Sequence, residues 1–134
     1  MKNMTTIAVI DDDEDIVLSL KTVLESRAYN VITACDGEEG IELVVKEHPD
    51  LIILDVMMPR KNGFEVCREL KGNPEYKSCA GIPIILLTVY PGDREAANLT
   101  LQEGRTMEAD DYIQKPFKPA VILDIVEQLL KKKK

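Results

Sequence analysis

The chain has no apolar run approaching the roughly 20 residues that a bilayer-spanning helix needs. Its start, Met1-Lys2-Asn3-Met4-Thr5-Thr6, leads into a short apolar stretch without a signal-peptide cleavage region. Those two absences argue against membrane insertion and secretion, and cytoplasm is the expected compartment. Cysteine is scarce: Cys35, Cys67 and Cys79 are odd in number, scattered, and form no C-x-x-C pair. A disulfide framework and a zinc site are thereby disfavoured, and the three read as reduced thiols that behave as small hydrophobes. The one histidine, His48, lies in the polar stretch Lys46-Glu47-His48-Pro49-Asp50 and reads as a surface-loop imidazole. No G-x-G-x-x-G occurs, which removes a dinucleotide-binding module. Basic balance is missing too. The formal charge is −7 although Lys131 to Lys134 supply four positive charges, so the rest of the chain is more acidic still. Such a body repels phosphate backbones, and direct nucleic-acid binding is not expected. The lysine run reads as a solvated helix end whose cations oppose the negative pole of the helix dipole, not as a membrane hook.

What is present fits one globular domain spanning 1–134. The chain has 134 residues, 45% of them apolar and 31% charged, a length and balance suited to a single core. Four short apolar runs stand out: Ile7 to Ile10, Val31 to Ala34, Leu51 to Leu54 and Ile82 to Leu87, with a weaker fifth at Tyr112-Ile113. They are brief, rich in β-branched residues and continuous, as strands are when both faces of a sheet are covered. Between them lie amphipathic segments. Their stripes are Ile16, Leu20, Val23 and Leu24; then Ile41, Val44 and Val45; then Phe64, Cys67 and Leu70; and last Val121, Ile125 and Leu129. A further helix, around Arg94 to Glu103, carries the weakest apolar stripe. Strand and helix alternate five times, which predicts an α/β fold with a five-stranded parallel sheet, right-handed crossovers and helices on both faces.

In open sheets of this kind, ligands bind outside the carboxyl ends of the strands. The first strand is followed by Asp11, Asp12 and Asp13, the third by Asp55, the fourth by Thr88 and the fifth by Lys115-Pro116. The second ends in Ala34-Cys35, with nothing reactive. An isolated Asp at a strand end is usually a turn or helix cap, and Asp13 and Asp15 are read that way. A lone Lys-Pro pair is usually loop. All of these at the ends of the right strands is a far more restrictive pattern. Carboxylates gathered together repel unless a cation neutralises them, and a few oxygen ligands suit a hard ion such as Mg²⁺, with Mn²⁺ as a substitute. A carboxylate beside that metal can attack a phosphoryl group. A lysine ammonium and a threonine hydroxyl can then meet the charge spread over the transferred oxygens.

With those residues placed, the chain resembles the response-regulator receiver domains of bacterial two-component signalling, from Ile7 to about Leu130. The resemblance rests on Ile7-Ala8-Val9-Ile10-Asp11-Asp12-Asp13, on Leu51 through Pro59 with Asn62-Gly63-Phe64-Glu65, and on Pro83-Ile84-Ile85-Leu86-Leu87-Thr88. It rests also on Ala109-Asp110-Asp111-Tyr112-Ile113-Gln114-Lys115-Pro116-Phe117. It implies a flavodoxin-like strand order of 2-1-3-4-5. Asp55 would be the phosphoacceptor, with Asp12, Asp55 and the backbone carbonyl of Met57 on Mg²⁺ and Asp11 acting through metal-bound water. Lys115 would pair with Asp55 and then with the phosphoryl oxygens, Thr88 would move toward the phosphoryl group, and Tyr112 would turn inward behind it. The bond before Pro116 would be cis. A sensor histidine kinase, a phosphotransfer protein or a small phosphodonor would supply the group, and a downstream effector would read the altered fourth strand–helix and fifth-strand face. A phosphorylation-dependent homodimer is a further implied partner. The chain would be no enzyme beyond catalysing its own phosphorylation and dephosphorylation.

Some features depart from the family's pattern. The interval from Thr88 to Lys115 spans 27 positions, a handful more than the family's usual, with most of the excess in Gly104 to Glu108, and the segment Ser78-Cys79-Ala80-Gly81 is slightly long. Val89 stands where a small residue is usual. The bulk of Met57 and Tyr90 predicts slow loss of the phosphoryl group to water. Rival readings fail on particular residues. A calcium loop on Asp11-x-Asp13-x-Asp15 has Ile16 where a glycine is needed, and a haloacid-dehalogenase-like phosphatase needs an acid at Met57. A receiver-like scaffold that no longer uses phosphorylation is the remaining alternative. The chain ends one helix after Lys115, as either a stand-alone regulator or the receiver part of a longer one would.

Overall fold

The structure is a computed structural model that describes residues 4–88 and 109–132. Within them lie β1 (Thr6–Ile10), α1 (Glu14–Glu25), β2 (Asn30–Ala34), α2 (Gly37–Glu47) and β3 (Leu51–Asp55). There follow α3 (Gly63–Gly72), a 3-10 helix (Pro74–Cys79), β4 (Ile84–Thr88), β5 (Asp111–Gln114) and a C-terminal helix (Pro119–Lys132). The five strands form one parallel sheet in the order β2-β1-β3-β4-β5, the order the resemblance implied. The expected helix at Arg94 to Glu103, the Gly104 to Glu108 segment, Val89 and Tyr90 lie outside the described residues.

Side-chain alternation along each strand divides the core in two. Ala8, Ile10, Ile52, Leu54, Ile84 and Leu86 pack under α2 and α3 with Ile41, Val44, Val66 and Leu70. Ile7, Val9, Leu51, Ile53, Ile85 and Leu87 face the other way, onto Leu20 and Leu24 of α1 and Ile122, Val126 and Leu129 of the C-terminal helix. Both faces of β1, β3 and β4 are buried, so nearly every position there gains from being apolar and the runs are continuous. Each fully buried leucine or isoleucine contributes about 2 kcal/mol.

The helix ends are specified locally. Asp13 caps α1 by accepting from the backbone N–H groups of Asp15 and Ile16, and Asp36 caps α2 through Glu39 N–H. Asn62 and Glu65 form a reciprocal capping box on α3. His48 ends α2 in the left-handed region at φ 47° with its side chain exposed, consistent with a surface imidazole. Ala28 (φ 64°) plays the same part after α1, where Tyr29 N–H returns to Leu24 carbonyl.

Two predicted stripes need correction. Val121 is 43% exposed, and the C-terminal helix buries Ile122, Val126 and Leu129 instead of Val121, Ile125 and Leu129. Successive steps of four drift off a 3.6-residue period, whereas four then three stays on one face. Val45 is likewise exposed, and α2 buries Ile41 and Val44.

Candidate phosphoacceptor and metal site

Parallel strands point their carboxyl ends one way, so β1, β3, β4 and β5 deliver their last residues to one edge. Asp11 follows β1 and is buried, its backbone N–H held by the Ala34 carbonyl. Asp55 closes β3 and is 3% exposed. Thr88 closes β4 beside it, one position beyond the Asp55–Leu87 pairing. Lys115 follows β5, its backbone N–H donating to the Thr88 carbonyl at 2.6 Å, and its bond to Pro116 is cis. The Lys115 Nζ bridges both acids, 2.9 Å from Asp55 Oδ1 and 3.0 Å from Asp11 Oδ2. Asp11 Oδ1 accepts from Asp13 N–H at 2.9 Å. Asp12, exposed, brings a third carboxylate, and one oxygen from each of Asp11, Asp12 and Asp55 lies within 4.8 Å of the others.

The electrostatics of the cluster are those of a site built for a cation. Burial drives Asp55 from an ordinary 3.8 up to about 6; the Lys115 hydrogen bond opposes this and the Asp11 charge adds to it. Burial likewise raises Asp11, against the Asp13 N–H and Lys115 bonds. Lys115 would be lowered by its burial, but its bonds to Asp55 and Asp11 outweigh that and raise it. One ammonium thus serves two buried carboxylates with a third nearby, which leaves a surplus of negative charge. The donor set is all oxygen and two of its members are buried, so the residues fit a hard divalent ion such as Mg²⁺.

The sheet also sets Thr88 and Tyr112 in relation. Leu86 pairs with Tyr112, and alternation puts Thr88 on the same face as Leu86. Tyr112 packs against the core beneath α2 and α3. Among the described residues, the buried hydroxyls of Thr88 and Tyr112 have no hydrogen-bond partner, an unusual expense for interior polar groups. Gly63 fits the first turn of α3 against the end of β3: a Cβ there would overlap the Asp55 carbonyl oxygen and lie 2.9 Å from Val56 Cα.

The response regulator receiver domain, as a sequence family, matches residues 7–127. The chain belongs to that family. It is 41% identical over 130 residues to a probable transcriptional regulator, ycf27, of Cyanophora paradoxa, covering 97% of this chain and 50% of that protein. It is 40% identical over 126 residues to the alkaline phosphatase synthesis transcriptional regulatory protein PhoP of Bacillus subtilis, covering 94% of this chain and 48% of that one. The chain therefore spans about half the length of the curated relatives it matches. Among solved structures, it resembles the signal receiver domain of a signal transduction histidine kinase from Syntrophus aciditrophicus. That likeness has a TM-score of 0.81 at 34% identity, covering 96% of this chain and 91% of that one. This receiver domain is thus a module of phosphorylation-based two-component signalling, and the flavodoxin-like order of its sheet is the family's.

Sequence reasoning passed over the end of β2. Cys35, Asp36 and Glu39 gather there with ligand atoms within 4.8 Å of one another. Protein groups already engage them: Glu39 accepts from the Cys35 N–H and thiol, and Asp36 caps α2 and pairs with Arg60. The Glu39 charge pushes the Cys35 thiol up, away from the reactive thiolate. Lys71 was missed as well. Its side chain is 9% exposed and its Nζ donates to the carbonyls of Ala80 (2.9 Å) and Ile82 (2.6 Å), with Asp110 at 3.8 Å. No local signal marks a lysine for burial, because its partners come from distant segments. Among the described residues, no helix is long and apolar enough to cross a membrane.

Proposed function

We propose that this receiver domain, acting as a single unit, takes a phosphoryl group onto Asp55 and that the resulting acyl phosphate changes the surface read by an effector. The observation that carries this is the Lys115 ammonium bridging two buried carboxylates, Asp11 and Asp55, with Asp12 alongside. Asp12, Asp55 and the Met57 backbone carbonyl would hold Mg²⁺, or Mn²⁺ in its place, with Asp11 acting through a bound water. When bound, the ion supplies charge neutralisation for the phosphoryl oxygens and lets two acids ionise at close range. One carboxylate oxygen of Asp55 attacks phosphorus. The donor's P–N bond, in a phosphohistidine or phosphoramidate, breaks as the new P–O bond forms, and the leaving nitrogen keeps the electron pair and takes up a proton. Lys115 stays on the reacting centre, its cation moving from the carboxylate to the phosphoryl oxygens.

Thr88 supplies a hydroxyl donor to a phosphoryl oxygen, which its lack of a hydrogen-bond partner among the described residues supports. Its movement would free space toward Tyr112, and the two would bias the β4–β5 face that an effector or a second copy meets. The chain's only catalysis would be of its own phosphorylation and dephosphorylation, with Met57 slowing the attack of water. A sensor kinase or phosphotransfer protein would be the donor.

The test is intact mass after incubation with Mg²⁺ and phosphoramidate. Wild type is expected to gain one phosphoryl group and Asp55→Ala none. An adduct on the variant overturns the acceptor assignment; no adduct on wild type leaves a phosphorylation-independent scaffold.

A further inference from the structure

The segment joining β3 to α3 is held in a way that the chemistry above does not use. Gly63 N–H donates to the Val56 carbonyl at 2.8 Å, closing residues 56–62 into a loop with bonded ends. At its tip, Lys61 N–H donates to the Pro59 carbonyl at 2.8 Å, and the residue between them, Arg60, has φ 70°. A three-residue hydrogen-bonded turn with positive φ at its centre is the rare, strained form of the γ-turn. A side chain as large as arginine is poorly suited to that region. Strain of this kind persists only when the surroundings over-determine it, and it concentrates at functional sites.

The surroundings are the first turn of α2. Arg60 Nε lies 3.6 Å from Asp36 Oδ2 and its Nη1 lies 4.0 Å from Glu38 Oε1. Between those acids, Gly37 meets the loop so closely that a Cβ on it would overlap the Lys61 carbonyl oxygen and crowd Lys61 Cβ at 2.6 Å. Lys61 Nζ in turn pairs with Glu69 of α3 at 2.5 Å. The loop is therefore pressed onto α2 by an absent side chain and latched there by a cation between two anions. An exposed ion pair adds little stability, and stability alone does not account for a strained arginine at this point. The loop begins at the acceptor and carries Met57.

We propose that Arg60 is a positioning residue: its latch onto Asp36 and Glu38 holds the strained turn, and the turn sets the backbone around Met57 that receives the divalent ion. The inference rests on the proposed function and adds α2, which contributes no ligand, to the parts that determine metal affinity.

Calorimetric titration of the metal-free chain with Mg²⁺, together with its metal-free thermal midpoint, tests this in wild type, Arg60→Gly and Arg60→Lys. Glycine relieves the strain and needs no latch, so it serves as the control for the turn itself; Arg60→Gln, measured alongside, keeps the strain and removes the cation. Arg60→Gln is expected to bind Mg²⁺ about three- to tenfold more weakly, at or below the low end for losing a group that orients a metal ligand, with its midpoint essentially unchanged because an exposed ion pair adds little stability. Arg60→Lys keeps the cation and is expected within about twofold of wild type on the same reasoning. Equal affinity in wild type and Arg60→Gln overturns the inference. So does weaker binding accompanied by a clearly lowered midpoint, which is general loosening, and so does a lysine variant as weak as the glutamine one. Wild type that fails to bind Mg²⁺ overturns the metal reading itself and this inference with it.

Discussion

At the scale of single residues, Asp55, the proposed acceptor, carries an electrostatic cost in the metal-free chain. Asp55 has an ordinary value of 3.8 and titrates at about 6 when folded, so the folded chain holds that proton more tightly than the unfolded one. Stability is then lost as pH rises from about 4 to 6, and at pH 7 the ionised, metal-free Asp55 opposes folding by on the order of 3 kcal/mol. Asp55→Asn removes that opposition while Lys115 keeps Asp11. The metal-free variant is expected to be more stable than wild type at pH 7, with the difference fading toward pH 4, as measured by denaturant midpoints across that range. With Mg²⁺ the gap closes, because only wild type gains the binding term, about 2.7 kcal/mol at a hundredfold excess over Kd. A wild type that is the more stable of the two without metal at pH 7 would refute the strained-acceptor account. This much of the site was legible in sequence: the acids and the lysine each follow an apolar run, and topology alone gathers such positions. Their raised titration was not, because it depends on burial that no short stretch specifies. Arg60 was invisible for the opposite reason, since a left-handed arginine contradicts its own propensity.

At the scale of elements, β1, β3 and β4 were legible because both their faces are buried. The edge strands β2 and β5, only partly buried, left weaker runs, and the amino-terminal edge of the sheet was not legible. There, side chains from afar complete the ladder. Asp50 Oδ2 accepts Thr6 N–H, and Asp110 Oδ2 accepts Ile84 N–H, both at 2.8 Å. Lys71, at the end of α3, ties the carbonyls on either side of Gly81 and sits beside Asp110. Three elements thus meet on one ammonium at the edge opposite the acceptor. Lys71→Met preserves the stem but leaves two carbonyls without their donor, a loss of about 1–3 kcal/mol. Urea unfolding should show a lowered midpoint with an unchanged slope. A variant within about 0.5 kcal/mol of wild type, the range of an ordinary surface change, would mean that water replaces the ammonium at no cost. The extended Ser78 to Gly81 segment, noted as a departure from the family's pattern, supplies one of those carbonyls, Ala80.

At the scale of the whole molecule, charge argues against direct binding of nucleic acid by this domain. The chain carries a formal −7, and its acceptor edge adds exposed Asp12, Asp13, Glu14, Asp15, Glu38 and Glu39 to the buried pair. Binding to DNA draws its sequence-independent affinity from lysines and arginines that displace counterions at successive phosphates. Here the cations are spread thinly: Lys115 is committed to two acids and Arg60, Lys61 and Lys71 to acids or carbonyls. Lys131 and Lys132 face the negative end of their own helix. The relatives named as transcriptional regulators are about twice this length, and this chain matches about half of each. The isolated chain should give no shift of duplex DNA at about 150 mM salt, and lowering the salt to about 50 mM should produce only a slight gain, because few phosphates are neutralised. Micromolar binding that weakens steeply with salt would overturn this, and would move the output function into the receiver itself.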